Sequence, residues 1–251
     1  MKIIVTGAYG MLGSKLVISL RRNKYNKLYF KKSNQLNLME AQSVMKYFKK
    51  IKPDVVYHCA NRVYGIGGNY NNKYKMFRDN FIMNSNILSA SEKFNVKKII
   101  FISSSAVYPQ KKREIYEKDL INTMPHNAEF YYGISKKIML EQLIHLKKKT
   151  GIKFKYLIMN NMYGENDNFN IKFGHVIPSL INKFYLAKKN NTNVKIWGSK
   201  NDKRCFMYSE DAAEAIRKIS NSKYEIANIS SNREVKIIEL VKILSNIFNY
   251  K

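Results

Sequence analysis

Tyr132 and Lys136 stand four residues apart in the string Tyr132-Gly133-Ile134-Ser135-Lys136. At helical spacing both side chains share one face. A cation held beside a phenol favours the phenolate, so Lys136 is expected to lower the Tyr132 pKa from its ordinary value of about 10. Such a phenol can exchange a proton with a carbonyl or hydroxyl oxygen near neutral pH. Ser104, in Ser103-Ser104-Ser105-Ala106-Val107-Tyr108, follows an apolar strand-like run and offers a hydroxyl to the same oxygen. Tyr131 is the neighbouring phenol, but the residue four further on is Ser135, which carries no charge. In a chain with 18 Tyr and 45 Lys plus Arg, a Tyr-x-x-x-Lys pair is a weak signal by itself.

A second pattern gives it weight. Gly7-Ala8-Tyr9-Gly10-Met11-Leu12-Gly13 lies between the run Ile3 to Thr6 and a helical stripe of Leu12, Leu16, Val17 and Leu20. In a strand-to-helix turn the first glycine permits the tight bend and the second lets the backbone approach a pyrophosphate. The third packs the helix on the strand, while the amides at the helix start face the anion. The spacing is Gly-x-x-Gly-x-x-Gly and not the commoner Gly-x-Gly-x-x-Gly. Proton exchange at Tyr132, Lys136 and Ser104 beside a dinucleotide loop is the chemistry of hydride transfer to a ketone. At the end of the second strand an acidic residue would hold the ribose hydroxyls of NAD, whereas cations suit the extra phosphate of NADP. Phe30-Lys31-Lys32-Ser33 occupies that place, so NADP is the expected cofactor, with Lys31 and Lys32 at its phosphate and no metal.

These residues need a parallel sheet with crossover helices to bring them together. Short apolar runs alternate with helical spacing up to about residue 165. Ile3 to Thr6, Lys27 to Phe30, Val55 to Ala60, Ile99 to Ser103 and Phe154 to Met159 are the expected strands. Helices are expected from Phe81 to about Phe94 and from Tyr132 to Lys149, the second stopping at Gly151. Beyond Gly164, Asn-rich loops separate a helix near residues 175 to 188, a short strand Val194 to Trp197 and two late helices. The expected fold is α/β, a Rossmann-type doubly wound parallel sheet over residues 1–165. Residues 166–251 form a smaller substrate-binding region, some of whose segments return to the first.

Composition narrows the function classes. The formal charge is +27, with 37 Lys, 8 Arg, 29 Asn and 29 Ile. The lysines are spread over the whole chain, which describes a solvated surface with a general pull on anions and argues against a nucleic-acid groove. Two cysteines, Cys59 and Cys205, make no disulfide framework and suit a reducing, cytoplasmic compartment. The start Met1-Lys2-Ile3-Ile4-Val5 lacks a signal-peptide pattern, and no apolar run is long enough to span a membrane.

The chain resembles the extended short-chain dehydrogenase/reductases, the nucleotide-sugar epimerase/dehydratase group, and within it the GDP-L-fucose synthase branch. The strings that carry the resemblance are Asn61-Arg62-Val63-Tyr64-Gly65-Ile66, Asn80 to Asn86, and Ser104 to Pro109. Tyr163-Gly164-Glu165-Asn166-Asp167-Asn168-Phe169 and Gly174-His175-Val176-Ile177-Pro178 are the most selective, followed by Trp197-Gly198 and Arg204-Cys205-Phe206. The resemblance covers essentially the whole chain. It implies epimerisation at the third and fifth carbons of a GDP-4-keto-6-deoxy-hexose, then NADPH reduction of the ketone. The acid/base pair it implies is His175 and a cysteine whose position aligns with Ala106, which has no proton to give. Ser105, a water, or a reductase without epimerisation are the alternatives at that point.

The resemblance further implies Gly7, Tyr9, Gly10, Met11, Leu12, Gly13, Ala60, Tyr132, Lys136 and Asn160 around the cofactor. Ser105, Asn161, Lys183, Trp197 and Arg204 are implied around the substrate. It also implies a homodimer through two long helices. Members of the group continue for some tens of residues past the helix ending here at Asn246 to Lys251, so a reduced substrate-covering region is expected. Two other readings stand beside this one. One is a UDP- or dTDP-sugar epimerase or dehydratase, although Ser105-Ala106 lacks a dehydratase's acidic pair. The other is a nucleotide-binding relative without turnover.

Overall fold

The computed structural model describes residues 1–63, 72–109, 115–120 and 123–250. Tyr64, Gly65 and Ile66 of the loop after the third strand fall outside them. Six parallel strands form the main sheet: β1 (Lys2–Thr6), β2 (Lys27–Tyr29), β3 (Val55–His58), β4 (Lys98–Ser104), β5 (Lys153–Met159) and β8 (Ile226–Ile229), in the order β2-β1-β3-β4-β5-β8. The chain moves from β1 out to β2 and returns on the other side at β3, so the sheet has its switch point between β1 and β3. Ligands of open α/β sheets bind outside the carboxyl ends of the strands at that point.

Both faces of the sheet are covered, which is why its strands read as unbroken apolar runs. Alternate residues serve different cores. Ile4, Val56, Ile99, Phe101, Phe154 and Tyr156 meet α2 (Ala41–Ile51), α3 (Lys73–Lys93) and α4 (Phe130–Thr150). Ile3, Val5, Val55, Tyr57, Ile100 and Leu157 meet α1 (Met11–Arg21) and α6 (Ser209–Ile219). A large apolar side chain fully buried in this way contributes about 1.5–3 kcal/mol before entropy is counted.

A second sheet of three short strands joins β6 (Asn161–Tyr163), β7 (Lys203–Tyr208) and β9 (Glu234–Lys236), with β6 and β7 parallel and β7 and β9 antiparallel. Beside it α5 (Val176–Asn190) and α7 (Ile237–Phe248) share their own core of Ile177, Leu180, Phe184, Leu240 and Leu244. The late segments are thus interleaved. After β7 the chain goes back to the main sheet through α6, whose Glu214 accepts from Ser19 of α1 at 2.8 Å, and then through β8.

Several boundaries differ from the sequence expectation. α3 begins at Lys73 instead of Phe81, because Met76, Asp79 and Asn80 are buried and hold the added turns in place. The third strand stops at His58, where the chain turns toward the phosphate loop. Val194 to Trp197 is not a strand. Val194 and Ile196 pack on the α5–α7 core as an irregular segment with no ladder partner. α4 ends as expected on Gly151, which adopts the left-handed conformation at φ 77°.

Candidate active site

The turn after β1 is shaped by two glycines. Gly7 has φ 68°, and a Cβ there would lie 2.7 Å from the Ala60 nitrogen. At Gly13 a Cβ would lie 2.0 Å from the Gly7 carbonyl oxygen, so only glycine lets α1 approach the turn. Gly10 precedes α1, in extended conformation, and its amide donates to the Gly7 carbonyl at 3.0 Å. The free amides at the start of α1 therefore open onto the carboxyl edge of the sheet.

A buried chain of hydrogen bonds fixes this edge. The Ala60 amide donates to Thr6 Oγ1 (3.2 Å), Thr6 Oγ1 meets His58 Nδ1 (2.7 Å), and His58 Nε2 meets Asn84 Oδ1 (2.9 Å). The Asn84 oxygen can only accept, so Nε2 carries the proton and Nδ1 takes the threonine hydroxyl. Burial, with the Lys136 charge nearby, pushes the His58 pKa down to about 4, so the ring is neutral and the link has one direction. Through it β1, β3 and α3 are tied together at the switch point.

A cleft of about 350 Å³ opens above that edge. Gly7, Gly10, Met11, Leu12 and Gly13 form one wall, and Ser104, Ser105, Tyr132 and Lys136 form another. Asn160, Asn161 and His175 close the side toward the smaller sheet. Twelve residues expected in the site thus share one space. Asn160 Nδ2 donates to Ser230 Oγ at 2.6 Å, Asn161 Nδ2 donates to the Cys205 carbonyl at 3.2 Å, and Ser104 Oγ accepts from the Ala106 amide at 3.2 Å. Ala106 is buried beside Met76 and Tyr132.

Other expected residues lie outside the cleft lining. Ala60 backs the Gly7 turn. Tyr9 is exposed, edge-on to Phe30, with the Lys32 ammonium 5.5 Å from its ring centre; Lys31 is exposed next to it. Lys183 is drawn elsewhere: Nζ donates to the Lys195 carbonyl at 2.9 Å and sits 3.7 Å from the ring centre of Trp197, which is 64% exposed. The two cap each other on the surface and line no part of the cleft. Arg204 on β7 faces Asp202 at 3.7 Å and its charge reaches Glu129.

The Tyr132–Lys136 relationship departs from the expectation. Lys136 is 2% exposed; its Nζ donates to the Ile102 carbonyl at 3.0 Å and lies 4.6 Å from the centre of the Phe101 ring. Burial lowers its pKa to about 7. The Tyr132 hydroxyl accepts from Asn61 Nδ2 at 2.6 Å, yet burial pushes its pKa above the ordinary phenol value. Lys136 does not lower it, because desolvation outweighs the asparagine bond and the ammonium is engaged 5.5 Å from the phenol ring centre.

Among the cleft residues without a role in the sequence reading, three polar ones bear on Tyr132 and His175. Asn61 was visible only as part of a loop string, and nothing in its neighbours tied it to Tyr132. Glu129 immediately precedes α4, three residues before Tyr132. Asp167 places Oδ1 3.7 Å from His175 Nδ1, and its other oxygen is buried with no hydrogen-bond partner. Glu129 was legible from its i, i+3 spacing to Tyr132, but Asp167 sits in a loop without periodicity. Among the described residues no group of three or more His, Cys, Asp or Glu could hold a metal, and no helix is long and apolar enough to cross a membrane.

Residues 3–230 match the NAD dependent epimerase/dehydratase family. A GDP-L-fucose synthase of Dictyostelium discoideum is 32% identical over 99% of this chain and 80% of its own length. A GDP-L-colitose synthase of Yersinia pseudotuberculosis is 30% identical over 100% and 83%. The crystal structure of a GDP-L-fucose synthetase from Naegleria fowleri bound to NADP superimposes with a TM-score of 0.91 at 29% identity, covering 100% of this chain and 79% of that one. The glycine cradle, shaped so that a side chain would fill it, fits the pyrophosphate of a nicotinamide dinucleotide such as the NADP bound in the Naegleria fowleri structure. With the doubly wound sheet and a match over most of its length, the chain belongs to the NAD dependent epimerase/dehydratase family.

Proposed function

We propose that the protein reduces a GDP-4-keto-6-deoxy-hexose with NADPH, and epimerises the carbons beside the ketone before doing so. The observation that carries this reading is the opening of Tyr132, Lys136, Ser104 and the glycine cradle onto one cleft. The relatives named as GDP-sugar synthases support the substrate class. When bound, NADPH supplies a hydride.

The chain's own residues do the rest. The amides at the start of α1 and the Gly7–Gly13 backbone bind diphosphate. Lys32, poised over Tyr9, and Lys31 are the cations for the additional phosphate that separates NADP from NAD. Ser104 holds the ketone oxygen by a hydrogen bond. Tyr132, its hydroxyl kept protonated by burial, donates the proton that the developing alkoxide takes up. Lys136, with a pKa of about 7, exists in both protonation states at neutral pH and lies close enough to respond to that transfer. Asn61 fixes the phenol's position.

Residues 166–251 provide the substrate side of the cleft through His175 and its neighbours. Lys183, Trp197 and Arg204 remain candidates for the nucleotide only if they swing from their present contacts. A homodimer through α3 and α4 belongs to the same reading, supported by the exposure of Phe81 and Tyr131 on those helices. So does a cytoplasmic location, supported by the free thiols of Cys59 and Cys205.

The test is to mix the protein with NADPH and GDP-4-keto-6-deoxy-D-mannose, follow the absorbance of the cofactor, and identify the product by NMR. Oxidation giving a 6-deoxy-L-sugar is the expected result, and oxidation without inversion leaves a reductase alone. No oxidation overturns the proposal, and oxidation only with a UDP or dTDP ketosugar moves it to another base.

A further inference from the structure

We propose that Glu129 is a proton-transfer residue of this cleft, paired with His175 in inverting the carbons that flank the ketone. The inference rests on the GDP-ketosugar reading and adds a catalytic group to it. Ala106 is apolar and buried against Tyr132, so the strand-end segment supplies no acid of its own beyond the serine hydroxyls. Glu129 lines the cleft with Tyr132 and His175. As the residue just before α4, it stands one turn from Tyr132, and residues three apart on a helix are neighbours. Its carboxylate has no hydrogen-bond or ion-pair partner among the described residues. A half-buried carboxylate without a partner is expensive to keep unless a ligand uses it.

The surroundings suit proton transfer. The titratable and charged groups facing Glu129 are His126 just before it, Tyr132 on α4, His175 at the head of α5 and Arg204 on β7. Burial raises its pKa above the ordinary carboxylate value, against the opposing influence of His175, His126 and Arg204, so it takes and returns a proton closer to neutrality. His175 enters from a different element and is 42% exposed on its side chain, with Asp167 on its Nδ1 side. In the step proposed, one of the two groups removes the proton on a carbon next to the ketone. The C–H pair becomes the C=C bond and the carbonyl pair moves to oxygen, held there by Tyr132 and Ser104. The other group then protonates the same carbon on its opposite face. One C–H bond breaks, one forms, and no oxidant or reductant is consumed.

Deuterium exchange separates this step from reduction. Incubate the protein in D₂O with NADP and GDP-4-keto-6-deoxy-D-mannose, and read deuterium at each ring carbon by NMR and mass spectrometry. The wild-type chain is expected to label a carbon beside the ketone. Glu129→Gln should label one of these carbons about 100-fold more slowly, the scale of a lost general acid or base. Glu129→Asp should recover part of the rate, and the acidic limb of the exchange–pH profile should vanish in the Gln variant. Thermal melting of both variants shows whether they fold. Unchanged labelling in Glu129→Gln overturns the proposal, as does equal loss in the Gln and Asp variants. NADPH oxidation without any labelling by the wild-type chain overturns it while leaving the reductase reading intact. Neither oxidation nor labelling overturns both.

Discussion

Asn61 donates from Nδ2 to the Tyr132 hydroxyl at 2.6 Å, joining the loop after β3 to the first turns of α4. The contact occupies one lone pair of the phenol and leaves its proton free to point into the cleft. It also partly offsets the rise in pKa that burial imposes. Tyr132→Phe removes the proton and keeps the ring. NADPH oxidation with the ketosugar should fall by about 10²–10⁴-fold, the range of a general acid. A variant retaining more than a tenth of the wild-type rate would mean that another group protonates the alkoxide.

Lys136 gives a pH signature to the free protein. Its folded pKa of about 7 lies below the ordinary lysine value of 10.5, so between these limits the unfolded chain binds more protons than the folded one. Stability therefore rises with pH across that window, and the cost of burying the ammonium is fully present below it. The raised pKa of Tyr132 reverses no part of this below about pH 10. Thermal melts should show a midpoint climbing from pH 7 to about pH 9, above which the buried Cys59 thiol, pushed up to about 12, opposes the rise, and Lys136→Met should flatten the climb. A slope that persists in Lys136→Met would assign it to other lysines, among them half-buried Lys98 and buried Lys155, whose pKa values burial also lowers.

Gly13→Ala tests the cradle. The added methyl would sit 2.0 Å from the Gly7 carbonyl oxygen, and backbone atoms cannot step aside as a flexible side chain would. Overpacking of this kind costs about 1–3 kcal/mol. A lower melting midpoint is expected together with weaker NADPH binding, read by quenching of tyrosine and tryptophan fluorescence. Binding equal to wild type would place the dinucleotide away from the turn.

The proposed preference for NADPH is carried by two exposed cations. Replacing Lys31 and Lys32 together by alanine should weaken NADPH about 10- to 100-fold, as the loss of one or two charge-assisted hydrogen bonds would. NADH should be nearly unaffected, so the ratio of the two affinities in a titration is the measurement. Equal losses for both would show that the lysines act only through long-range charge.

The parallel sheet was legible in the sequence for one reason. Strands buried on both faces write themselves as apolar runs, and Ile3 to Thr6 or Phe154 to Met159 can be read directly. The helix α2 was not among the expected elements although Val44, Phe48 and Ile51 follow helical spacing, because Gln42, Ser43, Lys46, Lys49 and Lys50 leave it without a continuous apolar run. The short strands β6 and β9 have three residues each, too few to show a period. In the site, residue types and spacing picked out Tyr132, Lys136, Ser104 and the glycines. Their energetics were not legible: the sequence shows that Lys136 neighbours Tyr132, but only burial decides that the phenol pKa rises. Lys183 and Trp197 illustrate the same limit, since the contact between these two residues could not be read from their spacing.

The position of β8 has a consequence for how the chain is made. During synthesis β5 emerges with one flank open, and its partner follows only after α5, β7 and α6 have been added. Until then a row of unsatisfied amides and carbonyls on Tyr156 to Met159 is available to any other extended segment. Distant pairings of this kind slow folding. A ribosome-bound fragment ending before Ile226 should accordingly associate with itself, or with a chaperone, in a manner the finished molecule does not.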